Sequence, residues 1–414
     1  MLEKMLEDHA FCICLRREIL QKILYTTRMA KQPIIYLALT DDWELRGNGS
    51  GDMDEIQLKP MRRLASIYEK NGARGSFFIE VMQQRTFRRF QAEYPELKVL
   101  ADQWEAQVKD VYQRGHDVQL HIHPQWTRAE YQGGSWKLDG KWSILDYPPE
   151  ESGRLILEGK KFLEDILQSV DPDYRCLAFR AGAWCVAPSP HILSQLAEAG
   201  IILDASIVEG IHIHTKNLQL DYKNCEESFL PFYPNMQDAR KISSHKEKII
   251  CVPTCHFVEP KRFTLRRHMK MAWRLVRKNF AGSSKGPFKN SNGEKPQSSE
   301  YKEWERVNAT IFSKIARQLR SYLNEGTYQI GDLSALEYPW LCCMMKSIRK
   351  RARSSGLSGI PVILENHTKE IQSFKDIERF ISDCSRAEDI QFITLTELAA
   401  RLQNGQFKIQ TATP

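Results

Sequence analysis

Short apolar runs alternate with longer amphipathic stretches along most of the 414 residues. IIYLAL (34–39), GSFFIE (75–80), DVQLHI (117–122), CLAFRA (176–181), IILDAS (201–206), KIICVP (248–253), PVILEN (361–366) and QFITLT (391–396) read as strands. Helical spacing covers 58–72, 97–114, 151–170, 189–200, a stretch near 302–324, and 372–384, with Gly72, Gly115 and Gly200 as stop signals. Strand–helix alternation predicts a parallel sheet. Near-continuous apolar strands agree, because parallel strands are buried on both faces. Seven or eight such units predict an α/β fold, a distorted (β/α) barrel. Residues 1–30 read as an N-terminal extension and 31–405 as the barrel domain.

Two insertions interrupt the alternation. Residues 125–149 are rich in Trp and Tyr and contain WKLDGKW, which predicts a hairpin turning at Asp139-Gly140. Residues 210–300 hold a basic stretch and then AGSSKGPFKNSNGEKPQSSE (281–300), a polar linker. The basic stretch, KRFTLRRHMKMAWRLVRK (261–278), carries eight Lys or Arg and no acid. It suits a phosphate-rich glycan or an anionic membrane face, and equally a solvated helix. No nucleic-acid motif accompanies it, so no nucleic-acid partner is expected.

Composition narrows the class. A hydrophobic fraction of 42% and a charged fraction of 27% fit a chain with a sizeable packed core. No apolar run approaches the roughly 20 residues that span a bilayer. The first residues carry acids where a secretory signal would be basic, so a cytoplasmic protein, peripheral at the inner membrane face, is expected. Ten scattered cysteines show no disulfide-framework spacing. Cys251 to His256 (CVPTCH) lacks a partner pair at finger spacing and reads as a buried strand end, not a structural zinc site.

Function in a parallel barrel collects at the carboxyl ends of the strands. Those ends carry Asp41-Asp42, His121 and His123, Arg180 and Trp184, Asp204, His256, and His367. On a strand, residues two apart share a side. His121 and His123 therefore project together, and a carboxylate, best Asp42, completes a face of ligands with positions left for water. His116 has the wrong position and reads as a packing or capping histidine. Asp41 and Asp42 diverge, so one can bind metal while the other faces the water.

Five motifs in order resemble the polysaccharide deacetylase family, also called the NodB-homology fold (carbohydrate esterase family four). LALTDD (37–42) resembles its Thr-Phe-Asp-Asp motif. GHDVQLHIHP (115–124) resembles its histidine stretch, FRAGAW (179–184) its Arg-x-Pro-Tyr/Trp motif, LDAS (203–206) its Asp-x-Ser motif, and ILENHTKE (363–370) its closing Leu-x-x-His motif. The resemblance implies Asp41 as catalytic base, Asp42 with His121 and His123 as metal ligands, and Arg180 orienting the base. It implies His367 as general acid supported by Asp204, with Trp184 lining a sugar site. Two departures stand out. The second histidine follows His121 by two residues, not four, and Trp43-Glu44 replaces the glycine usual after the acid pair.

The expected activity is metal-dependent removal of N-acetyl groups from a sugar or glycan, anionic or lipid-linked, with zinc first among the divalent metals. Trp126, Trp136 and Trp142 are candidates to stack on the sugar, against the simpler reading of a small satellite core. Rival expectations are an amidohydrolase acting on a non-sugar amide, a metal-dependent glycosidase, and a non-catalytic glycan-binding relic.

Overall fold

The computed structural model describes residues 32–259 and 327–412. The expected extension at 1–30, the basic stretch 261–278, the linker 281–300 and the helix near 302–324 lie outside these residues. In chain order the framework is β1 (Ile34–Trp43), α1 (Lys59–Lys70), β2 (Gly75–Glu80), α2 (Val81–Phe90), α3 (Pro95–Gln113), β3 (Asp117–Ile122), α4 (Pro149–Gln168) and β4 (Ala178–Ala181). It continues with α5 (Ile192–Glu198), β5 (Leu203–Asp204), β6 (Ile250–Cys251), α6 (Tyr338–Ser354), β7 (Gly359–Leu364), α7 (Phe374–Ser385), β8 (Ile390–Phe392) and α8 (Leu395–Gln403).

The strands pair in parallel in the order β6-β5-β4-β3-β2-β1-β7. The open edges then meet. Thr254, just past β6, bridges Ile363 of β7 in parallel, and Cys255 N–H donates to Ile363 O at 2.8 Å. This closes a distorted seven-strand (β/α) barrel. The eighth strand is not a further stave: β8 pairs with Ile35–Leu37 of β1, while β2 takes Leu39–Trp43 of the same strand. Every residue of β2 and β3 is buried, as their apolar runs require when helices cover one face and the barrel interior lies on the other.

Local chemistry sets the boundaries. α1 begins at a proline and stops at Gly72, whose φ of +68° ends the helix. Glu80 caps α2, accepting from Met82 N–H at 2.6 Å and Gln83 N–H at 3.2 Å. α8 opens with a reciprocal capping box of Thr394 and Glu397. Helices α2, α6 and α8 were not anticipated from periodicity. The strands expected at 201–206 and 248–253 shrink to two-residue ladders, because Pro253 has no N–H to donate and the chain then crosses to β7.

The aromatic insertion turns elsewhere than expected. Glu130–Gln132 pairs with Ser135–Lys137 around Gly133-Gly134, not at Asp139-Gly140. Both glycines have positive φ, +52° and +90°, the backbone that a two-residue hairpin turn needs. A second short hairpin, His212–His214 with Gln219–Asp221, lies over the carboxyl end of the barrel. An antiparallel stem joins His256–Glu259 to Thr327–Ile330 beside it. No helix among the described residues is long and apolar enough to cross a membrane. The eight cysteines among them are all free.

Candidate metal centre and catalytic cavity

Register brings the polar residues together. Glu80 lies opposite His121, His121 opposite Arg180, and Asp42 bridges His367. All five are buried. Above them opens a cavity of ≈ 890 Å³ whose floor includes Asp42, Glu44, His121, His123 and His367. Trp142, Tyr328 and the 212–221 hairpin form its upper wall.

Alternation along the end of β1 sorts its acids. Asp42 faces the interior, where Arg180 Nη1 donates to its Oδ1 at 2.5 Å. Arg180 is wholly buried, and its Nη2 also donates to Thr40 and Thr254 at 2.9 and 3.2 Å. Burial opposes ionisation of Asp42, but Arg180, with His121 and His367, outweighs it and holds the carboxyl below its ordinary range. Asp41 points the other way. It lies under α1, where the Tyr68 hydroxyl donates to Oδ2 at 3.0 Å and Asn366 Nδ2 donates to Oδ1. Asp41 does not line the cavity. Expected as the base, it is instead a buried tie between a helix and a strand end, and Asp42 takes the arginine expected of it.

The metal-ligand expectation shifts in the same direction. His121 and His123 do project together, with rings 4.8 Å apart. The carboxylate between them belongs to Glu44. Its Oε2 contacts His123 Nε2 and lies 3.6 Å from His121 Nε2, whereas Asp42 Oδ2 is 3.9 Å from His121. Glu44, His121 and His123 offer one donor atom each, all within 4.8 Å of one another. His121 Nδ1 is tied to Arg180 O at 2.7 Å, which directs Nε2 into the group. That Nε2 is buried and has no hydrogen-bond partner. Two imidazoles, one carboxylate and one orphaned nitrogen are a donor set that fits a divalent cation. Lys369 Nζ holds the other oxygen of Glu44 at 2.6 Å, and burial notwithstanding, His123 and Lys369 keep Glu44 well below its ordinary pKa.

His367 occupies the opposite wall. Its Nδ1 contacts Asp332 Oδ2 at 3.0 Å and its Nε2 lies 3.2 Å from Glu365 Oε1 and 3.7 Å from Asp42 Oδ2. Burial works against charge on this ring, but Glu365 and Asp332 outweigh it and lift the pKa to about 10. The carboxylate against His367 Nδ1 is thus Asp332, not Asp204. Asp204 accepts from Ser206 Oγ at 2.6 Å and from Cys251 Sγ at 3.6 Å, and burial raises its pKa to about 6. Trp184 lines the cavity as expected, and its indole N–H donates to both oxygens of Glu365, at 3.1 and 3.2 Å. Ala183 and Trp184 hold φ of +53° and +58°, a left-handed pair that costs about 1–3 kcal/mol each and aims this ring inward. Gly182 precedes them because a Cβ there would meet Ile122 O at 2.7 Å and His123 Nδ1 at 2.8 Å.

The aromatic candidates divide. Trp142 lines the cavity. Trp126 and Trp136 do not: Trp136 stacks on Phe87 at 5.4 Å and packs against Trp126 at 5.2 Å and Tyr131 at 4.5 Å. Phe87, Trp126 and Tyr131 belong to the main hydrophobic core, and the half-buried Trp136 packs against it over α2. His116 behaves as a packing histidine, accepting from Gly75 N–H at 3.0 Å, and burial lowers its pKa to about 4. His256 pairs with Glu209 at 3.0 Å beside the stem. Glu44, Glu365 and Asp332 were missed in sequence. The two-residue spacing Asp42-x-Glu44 and Glu365-x-His367 was the available signal for the first two.

No protein-family model matches the sequence, and no curated protein matches it either. Among solved structures, the chain is similar to a Mycobacterium smegmatis protein named as a polysaccharide deacetylase. Identity is 12% and the TM-score 0.46, over 93% of this chain and 96% of that one. It is similar to the allantoinase Puue at 10% identity and TM-score 0.44, over 91% and 92% of the two chains. A Pseudomonas aeruginosa PAO1 protein named as a polysaccharide deacetylase gives 10% identity and TM-score 0.43, over 90% and 93%. The structural neighbours thus include the group that the motif order resembles.

Proposed function

We propose that this protein is a metal-dependent hydrolase that removes an N-acyl group, acetyl first, from a sugar or glycan. Glu44, His121 and His123 would hold the cation, with zinc the first candidate. A cation bound there supplies a Lewis acid that polarises the acyl carbonyl and makes water easier to deprotonate. Asp42 takes the proton of the attacking water, kept ionised and aimed by Arg180. His367 gives its proton to the departing nitrogen, and Asp332 fixes the ring through Nδ1. Trp142 and Trp184 flank the cavity and offer faces to sugar C–H groups. The basic stretch 261–278 favours an anionic or lipid-linked glycan met at the inner membrane face.

The observation that carries this reading is the buried, unpartnered Nε2 of His121 set between Glu44 and Asp42. The test measures acetate released from a panel of N-acetylated glycans and ring opening of small cyclic amides, with metal content followed in parallel. The expected result is turnover of a glycan that chelation abolishes, zinc restores and Glu44→Gln removes together with the bound metal. Turnover that survives chelation, or metal retained in full by Glu44→Gln, would sink the assignment. Turnover of cyclic amides alone would move the substrate class.

A further inference from the structure

We propose that the barrel mouth holds a second divalent-cation site, formed by Asp42 Oδ2, Glu365 Oε1 and His367 Nε2, beside the group of Glu44, His121 and His123. These three donors lie within 4.8 Å of one another and all three residues are buried. Asp42 and His367 have their other side tied: Arg180 holds Asp42 Oδ1 at 2.5 Å and Asp332 holds His367 Nδ1 at 3.0 Å, while the Trp184 indole N–H is shared between both oxygens of Glu365. The Asp332–His367 contact is the arrangement by which a carboxylate orients a ligating imidazole and raises its basicity. The lone pairs left over converge.

The orphaned nitrogen of the first group faces the same place. His121 Nε2, buried and without a partner, lies 3.9 Å from Asp42 Oδ2. Asp42 Oδ2 also lies 3.7 Å from His367 Nε2. One carboxylate oxygen therefore stands between the two donor groups, as a bridging ligand does in paired-cation sites. Charge sets the order of filling. Asp42, Glu44, Asp332 and Glu365 face three cationic side chains, Arg180, Lys369 and the protonated ring of His367. The first divalent cation offsets the excess, so the second binds more weakly.

The second site acts on the hydrolase reading, and that consequence rests on it. His367 Nε2 has one lone pair. Holding a cation, it cannot carry the proton that the leaving nitrogen needs, so excess metal silences the enzyme.

Metal-free full-length protein is titrated with zinc chloride by calorimetry, and the metal retained after dialysis is counted by elemental analysis. The expected result is a tight equivalent and a weaker second one. Glu365→Gln loses the weaker and keeps the tight, which also shows that the variant is folded. Glu44→Gln loses the tight one. Acetate release rises with the first equivalent and falls by about 100-fold as the second binds, the worth of a general acid. A single equivalent, or a weaker equivalent that survives Glu365→Gln, overturns the proposal. Both equivalents in the expected variant pattern, with no N-acetyl substrate turned over, would leave the second site standing and remove the hydrolase.

Discussion

Asp41 and Asp42 are neighbours in sequence, both deeply buried, and their carboxyls live in opposite chemistries. The inner one meets a guanidinium and two imidazoles and stays charged. The outer one meets only neutral donors, Tyr68 and Asn366, and burial pushes its pKa up to about 7. Burial alone therefore does not make a catalytic acid or base. A buried carboxyl stays ionised only where a cation answers it, and strand parity decides which of two adjacent acids gets that cation.

The contrast between inner and outer residues breaks first at Asp42. Asp42→Asn is expected to cut turnover by about 100- to 10,000-fold, the range of a general base, while Asp41→Asn leaves turnover nearly intact. Equal losses from the two would erase the distinction. Trp136→Ala comes next. It strips a half-buried ring from the core over α2 and should cost about 3 kcal/mol, the low end for a large aromatic, read from the denaturation midpoint, with sugar affinity of the folded protein unchanged.

A subtler test uses pH. The folded state keeps a proton on Asp41 that the unfolded chain releases near 3.8. Stability from this group is fully present below pH 3.8 and is lost as pH rises towards about 7. The gap of about three units caps the loss near 4 kcal/mol. Asp41→Asn should make the stability curve less steep over that window in urea titrations, with Asp204 and Glu365, raised to about 6 and 7, accounting for the remaining fall. A variant curve as steep as the wild type would show that Asp41 ionises freely. Smallest is Trp142→Ala, expected to weaken sugar binding by about tenfold, as loss of one stacking ring does, with little change in stability.

The barrel was legible because parallel strands buried on both faces leave apolar runs that punctuation residues bound. The convergence of chemistry on one rim was legible too, since strand ends can be counted. The candidate donor group was not fully so. Parity was applied to His121 and His123 but not to Asp41, Asp42 and Glu44, where it separates the outer acid from the inner pair. Asp332 carried no local signal. It reaches His367 only because the stem at 327–330 returns the chain to β7, where Asp332 bridges Glu365. The split among the tryptophans was invisible as well, since Gly133-Gly134 set the hairpin and so chose which rings fold onto α2.

The close spacing of His121 and His123 has a genetic corollary. His121 lies in β3, with β2 on one side and β4 on the other, and His123 follows just past the strand end, where its N–H donates to Glu80 Oε2. Deleting or inserting one codon within 117–120 would rotate the pair outward together, and a change between the two histidines would split them onto opposite sides. Lineages carrying this arrangement should tolerate length changes in the hairpins above the barrel and almost none in this strand.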